Sequence, residues 1–426
     1  MPSPPRVSTY ATRTSIVVVG IVAAAFAAAR AQEPAAADLL KDAAVKAALD
    51  AAKANEPQTI EDQVRFCEVP APSFKETGRG DLLKQTFQQL GLQNVRVDKA
   101  GNVLGDRPGA APRPRFVIAA HLDTVFPEGT DVTVKREGAV LRGPGIGDDC
   151  RGLAVLVAII RALKQANVQT PGSITFVADV GEEGLGDLRG MKQLFNDTMK
   201  GQIDRFVSID GTGVSITNVA VGSHRYRVTF KGPGGHSFGA FGLANPIGAM
   251  GRAIAKISDL QVPRQPKTTF NVGRVGGGTS VNSIPFDGWM EVDMRSSDPA
   301  SLAAIDAGFH KAVDSAVVEE NERWGTPRMV TATKDLVGDR PAGSTPENAL
   351  IVQTTLAVNR ALGFAATLGE GSTDSNLPMS LKIPAVTIGG GGRGTGGHSL
   401  GEAFDATDSW QGTQRAVLLT VALAQK

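Results

Sequence analysis

The sequence predicts an α/β fold: a mostly parallel sheet with helices on both faces, interrupted by an inserted α+β unit of ferredoxin-like order. Three observations lead there. Short apolar runs at Phe116 to Ala120, Ile174 to Val180, Phe206 to Ile209 and Ala385 to Ile388 alternate with helical stretches such as Leu153 to Leu163. Strands that are apolar without alternation are buried on both faces, as parallel strands are. Between Val221 and about Gly325 the pattern changes to strict alternation at Tyr226, Val228 and Phe230, followed by a helix, two strands and a second helix. The α/β pattern then resumes. A chain of 426 residues exceeds the ~250 to 300 at which a single core stops growing, so two units are expected. Their predicted limits are 32–220 with 334–426 for the split α/β unit, and 221–333 for the insert.

Arg6 and Arg13 precede an apolar stretch from Ser15 to Ala29, which closes on Ala29-Arg30-Ala31 before Gln32. That order of charged, apolar and small residues predicts a signal peptide over residues 1–31 and an exported chain, periplasmic or secreted. The stretch is too short for the ~18 apolar residues that spanning needs, so no stable membrane span is expected. Amino-terminal sequencing of the exported protein reads the predicted start near Gln32. Next come a helix over Ala35 to Lys53 and one that Pro57 opens and Cys67 ends. A further helix over Asp81 to Leu90 is closed by Gly91, and a hairpin turns around Ala100-Gly101-Asn102.

Within the insert the pattern predicts a helix near Asn245 to Ile257, strands at Thr268 to Val275 and Trp289 to Met294, and a helix from Leu302 to Glu320. A strand near Arg328 to Thr333 closes it. After it come a helix near Glu347 to Leu362, the Ala385 to Ile388 strand and a last helix near Trp410 to Ala424.

Composition narrows the function. A formal net charge of +1 offers no field for nucleic acid or an anionic membrane, and 42% hydrophobic with 20% charged residues suits a folded core. The two cysteines, Cys67 and Cys150, lack Cys-x-x-Cys spacing and make no disulfide scaffold.

Ligands of open α/β sheets bind beyond the carboxyl ends of the strands. There the chain places His121 and Asp123, Glu182 and Glu183, Asp210, and a glycine-rich loop leading to His398; Asp148 and Asp149 precede the Leu153 helix. Two histidines and three carboxylates suit a pair of zinc ions if Asp148 bridges, since imidazole and carboxylate are zinc ligands at ~2.0 to 2.2 Å. Asp123, two residues beyond His121 on an extended strand, is expected to accept the hydrogen of the ring nitrogen not bound to metal. The Gly389 to Gly397 loop contains Gly392-x-Gly394-x-x-Gly397, but His398-Ser399-Leu400-Gly401 opens no helix and no Lys-Ser or Lys-Thr follows. It reads as a flexible hinge that brings His398 to the metals.

As an ordered set, His121-Leu122-Asp123-Thr124-Val125, Gly143 to Asp149, Gly181-Glu182-Glu183-Gly184 and Ser208-Ile209-Asp210-Gly211 resemble the family of co-catalytic zinc exopeptidases and deacylases. Its members include peptidase T, glutamate carboxypeptidase, acetylornithine deacetylase and succinyl-diaminopimelate desuccinylase. Val69 to Glu76 and Gly371 to Asn376 resemble its first and last signatures. The resemblance implies His121, Asp148, Glu183, Asp210 and His398 as metal ligands with Asp148 bridging, Glu182 as general base, and a cis Asp148–Asp149 peptide. It implies two zinc ions per chain, with Co2+ or Mn2+ as substitutes, and hydrolysis of an amide by hydroxide held between the ions. The insert becomes a lid and dimerisation domain, with a homodimer formed through it. Lid residues carried over are His236 for the substrate carbonyl, Arg295 for the substrate's terminal carboxylate, and Asn282 in the same cleft. His224 and His310 match no motif and read as packing residues. The tripeptidase-like motifs at Gly147-Asp148-Asp149 and Ile209-Asp210-Gly211 imply a short peptide as substrate. Two rivals stand beside it: an N-acyl amino acid deacylase and a non-catalytic metal- or peptide-binding protein on the same scaffold.

Overall fold

The apolar runs become the middle of one nine-stranded sheet. In the computed structural model, which describes residues 36–325, 329–365 and 367–425, the order is Gln93–Val97, Val103–Arg107, Ser173–Asp179, Arg115–His121, Arg205–Ile209, Ala385–Ile388, Ile216–Ala220 and Gly343–Ser344. Leu368–Gly371 pairs beside Ile216–Ala220. The signal peptide expected over residues 1–31 lies outside the described residues. Among those described, no helix is long and apolar enough to cross a membrane.

Burial explains why the central runs are apolar throughout. Phe116, Ile118 and Ala120 face one core with the helices Cys150–Gln165 and Trp410–Leu423, while Val117 and Ala119 face another with Met191, Leu194 and Phe195. Parallel pairing joins the four central strands, as expected. The sheet as a whole is mixed, because its flanks are antiparallel. On one side the hairpin turning at Gly101, φ 109°, lays Val103–Arg107 against Ser173–Asp179; on the other, Ile216–Ala220 runs against Ala385–Ile388.

Two helix boundaries also differ from the sequence reading. The stretch expected as one helix from Ala35 is broken where the Asp42 carboxylate accepts the N–H groups of Ala44 and Val45, capping a new helix Ala43–Ala54. The helix expected from Asp81 starts at Thr77 and ends, as expected, on left-handed Gly91.

The long elements of the insert come in the order strand, helix, two strands, helix, strand, and the two-residue strands Gly235–His236 and Ser283–Ile284 pair with each other beside them. Its four antiparallel strands lie as Thr268–Gly277, Asp287–Ser296, Gly222–Lys231 and Thr331–Arg340. Tyr226, Val228, Phe230, Met290, Val292 and Met294 turn one face onto the helices Pro246–Ser258 and Pro299–Arg323. The alternate residues Arg225, Glu291, Asp293 and Arg295 therefore share the opposite face. The last strand runs to Arg340, well past the expected end at Thr333. Pairing with Gly222–Lys231 continues to Arg340 opposite Ser223, and the strand's exposed, polar edge hides it from a hydrophobicity pattern.

A second sheet of four short strands was not legible. It orders Arg393–Thr395, Ala403–Asp405, Val140–Arg142 and Lys135–Glu137, so the hairpin carrying His398 is bound to the strand that leads into Gly143 to Asp148. The base of the glycine-rich loop is clamped rather than a hinge. A Cβ on Gly389 would sit 2.2 Å from the Thr212 carbonyl oxygen, and one on Gly391 2.6 Å from that of Ser409. Buried Arg151 donates from Nε to the Gly390 carbonyl at 2.8 Å, and buried Arg415 donates to that of Gly389. These glycines serve close approach.

Candidate metal centre and active-site cleft

His121 ends its strand and is buried; its neighbours in the cleft arrive on loops at the same edge of the sheet. Its Nε2 lies 3.0 Å from Asp148 Oδ1, and His398 Nε2 lies 3.0 Å from Asp148 Oδ2 and 3.1 Å from Glu183 Oε1. One carboxylate thus faces both imidazoles. Burial pushes the Asp148 carboxyl up, but the His121 and His398 rings beside it hold it well below the carboxylate range. The Asp148–Asp149 peptide is cis, as the resemblance implied, and Asp149 caps the Cys150 helix through Gly152 N at 3.0 Å.

The donor atoms fall into three overlapping groups, each spanning no more than 4.8 Å: His121 with Asp148 and Asp210, His121 with Glu182 and Glu183, and Asp148 with Glu183 and His398. Separations of 3.0 to 3.1 Å are close to what two ligands of one ion ~2.0 to 2.2 Å away span. Electrostatics point the same way. Burial, with the Asp148 charge beside it, raises the Asp210 carboxyl well above its ordinary value, and Asp148 and Glu183 push His398 up to about 10. Buried like charges that raise one another's proton affinity attract cations. The residues present fit a divalent-cation centre, and all five expected ligands meet in it.

Asp123 is fully buried, and its carboxylate does a second job beside the one expected. The His121 ring Nδ1 is 3.1 Å from the Asp123 carbonyl oxygen and 3.6 Å from its carboxylate. The main-chain oxygen is the nearer partner, with the carboxylate pairing to the ring at the longer distance. The carboxylate also accepts the N–H groups of Glu182 and Glu183, each at 3.0 Å, and the Ser73 hydroxyl at 2.7 Å. Burial raises the Asp123 carboxyl, but His121, Ser73 and the Glu183 amide hold it below its usual range. It fixes the loop that carries both glutamates.

Glu182 is buried, 4% exposed, and its Oε1 accepts Arg340 Nη1 at 2.8 Å. Burial dominates over that guanidinium and pushes the carboxyl up to about 7, with Glu183 adding to the rise. A cavity of about 360 Å3 opens here, lined by Asp148, Glu182, Glu183, Asp210 and His398 on one side and by Arg225, Arg295, Arg340 and the Gly371 to Thr373 segment on the other. Arg295 stands in the wall of this cavity. Asp293 takes the Arg295 Nε at 2.8 Å and the Arg225 Nε at 3.0 Å, so one carboxylate orients two guanidiniums.

His236 and Asn282 lie elsewhere. They sit together at the lid edge, where the Ser237 amide bonds the Asn282 carbonyl at 2.9 Å, and both are exposed and absent from the cavity wall. Within a single chain neither reaches the cleft expected of them. His236 Nδ1 accepts the amides of Phe238 and Gly239, each at 3.2 Å, which leaves Nε2 directed away from its own loop. His224 and His310 are lid packing groups, on Asp306 at 3.0 Å and Tyr226 at 3.3 Å.

Sequence reasoning missed Arg340, Arg225 and Ser73. Ser73 lay inside a motif, Val69 to Glu76, whose chemistry was not assigned. The two arginines sit on lid strands where an alternating charge reads as solvated surface.

Comparison with known proteins gives a consistent result. The sequence model of the family described as Peptidase family M20/M25/M40 matches residues 117–421. A succinyl-diaminopimelate desuccinylase of Corynebacterium glutamicum is 24% identical over 335 residues, covering 77% of this chain and 86% of that protein. A tripeptidase from Staphylococcus aureus has a similar structure, with TM-score 0.72, 21% identity, and 87% and 99% of the two chains covered. A Bacillus subtilis protein described as a dinuclear metal-binding peptidase is similar at TM-score 0.64 and 16% identity, covering 87% and 98%.

Proposed function

The chain belongs to peptidase family M20/M25/M40, and from that premise we propose that it is an exopeptidase hydrolysing an amide bond of short peptides with two zinc ions. The observation that carries the reading is Asp148, whose two carboxylate oxygens face two different histidines beside Glu182. In this reading His121, Asp148 and Asp210 hold one ion, and Asp148, Glu183 and His398 the other. Bound there, the ions supply Lewis acidity and lower the pKa of water at the site. Glu182, held by Arg340, takes the proton of the attacking water and returns it to the departing amine as the C–N bond breaks. Arg295 pairs with the substrate's terminal carboxylate, and Asn282 and His236 contact the substrate from the lid.

Similarity to a desuccinylase supports a second reading, removal of an acyl group from an N-acyl amino acid. A hydrolysis screen over dipeptides, tripeptides and N-acyl amino acids separates the two. Turnover is expected on peptides, abolished by a chelator and restored by zinc, cobalt or manganese. Activity confined to N-acyl amino acids rejects the peptidase reading; turnover unaffected by chelation rejects the metal.

The place of His236 supports a further part of this reading, a homodimer formed through the lid. Around it Phe238, Phe241, Val281 and Phe286 are 88, 79, 102 and 65% exposed, an apolar rim that a second copy would cover. His236 would then serve the partner's cleft. Chains carrying His236→Ala and Glu182→Gln are each expected to be inactive alone and to regain turnover when mixed, since one site of the mixed dimer keeps both groups. No recovery on mixing, or a monomer in sedimentation equilibrium, refutes this assignment.

A further inference from the structure

Glu402 lies four residues beyond His398, belongs to none of the motifs above, and is 2% exposed. Its carboxylate accepts three main-chain N–H groups: Gly145 on Oε2 at 2.8 Å, and Gly147 and Asp148 on Oε1 at 2.8 and 3.1 Å. Its own carbonyl accepts the Gly143 amide at 3.1 Å, one step beyond the pair Ala403 and Arg142 in the small sheet. Every donor lies on the single loop that ends at Asp148. No salt bridge to Glu402 occurs among the described residues, so these amides are what satisfies a buried carboxylate.

The arrangement joins two stretches of chain far apart in sequence. One carries Asp148 and the other His398, and they face each other at 3.0 Å. Gly147 keeps the approach open, since a Cβ there would stand 3.2 Å from Glu402 Oε1. With the Asp148 amide held from one side, its side chain is aimed at His121 and His398 together rather than left to the rotamers of a free loop.

We propose that Glu402 is a positioning residue for the divalent-cation centre: it fixes the loop of Asp148 against the hairpin of His398, so that the shared carboxylate is preorganised between two histidines. The proposal rests on reading that cluster as the metal centre. Outer partners of metal ligands typically change metal affinity 10- to 100-fold when removed.

Glu402→Gln is the direct test. The amide keeps the shape but turns an N–H2 toward main-chain N–H groups, so at least one acceptor is lost and a donor faces a donor. Zinc affinity, measured by competition with a chromophoric chelator on protein shown folded by circular dichroism, is expected to fall about 10- to 100-fold. Glu56→Gln serves as control. Glu56 is another buried carboxylate, paired with Arg151 at 2.8 Å and Thr413 at 2.9 Å, outside the cation cluster. It is expected to lower Tm and leave zinc affinity unchanged.

Wild-type zinc affinity in folded Glu402→Gln overturns the proposal, as does an equal loss in Glu56→Gln. If Glu402→Gln does not fold, Gly147→Ala presses on the same carboxylate from the loop side, and unchanged zinc affinity in that variant likewise overturns it. A wild-type chain that takes up no zinc, cobalt or manganese removes the metal reading itself, a result distinct from a normal wild type with an unaffected variant.

Discussion

Glu182→Gln is expected to lower kcat by about two to four orders of magnitude while zinc content stays at the wild-type level, the range typical of a lost general base. The reason lies in which atoms change. Glutamine keeps a carbonyl oxygen that still accepts from Arg340 Nη1, now 2.8 Å from Glu182 Oε1, so the side chain keeps its place. It cannot take a proton from water. The donors assigned to the ions are other residues, with Glu183 next in the chain and His398 within 3.1 Å of it. Metal analysis and single-turnover kinetics on the purified variant decide the matter. Near-normal turnover would sink Glu182 as the base, and loss of zinc along with activity would make it a ligand.

Arg295→Ala is expected to cut kcat/KM sharply on substrates with a free terminal carboxylate and scarcely at all on the matched amides. Truncating one partner of a desolvated charge pair costs ~2 to 5 kcal/mol. The Arg295 side chain is 41% exposed before substrate arrives, so the lower end, about 2 kcal/mol or ~30-fold, is the appropriate expectation. Asp293 already holds Nε at 2.8 Å, which leaves both terminal nitrogens free to pair with a carboxylate side by side. The rival role, a lid salt bridge and nothing more, predicts an equal loss on acid and amide substrates. Measuring both proteins on both substrates separates the two, with circular dichroism as a check on folding.

These expectations differ in how much of each the sequence carried. The rule that strand ends bear the chemistry singled out His121, Glu182, Glu183 and Asp210 from local pattern alone, because a buried strand is a short apolar run whose last residue is easily found. Asp148 is marked by its place before the Leu153 helix, and His398 by the glycine-rich loop that follows the Ala385 to Ile388 strand. In the insert, period-two alternation is a local signal, and it predicted the strand and helix order that the structure adopts.

What the sequence determined by itself is therefore what local pattern encodes: the central strands, the α+β insert, and the histidines and carboxylates at the strand ends that gather around Asp148. Tertiary structure decided which groups those residues meet. Arg340 reaches Glu182 across 158 residues and Glu402 reaches Gly147 across 255, contacts set by the register of a lid edge strand and by a hairpin in a sheet of three-residue strands. The same holds for the Asp123 carboxylate, which stays beside the His121 ring but also takes the Glu182 and Glu183 amides, and for His236, held at the lid edge by its own turn. A side chain's partners depend on how distant segments pack, and a buried carboxylate takes whichever donors that packing brings within 3 Å.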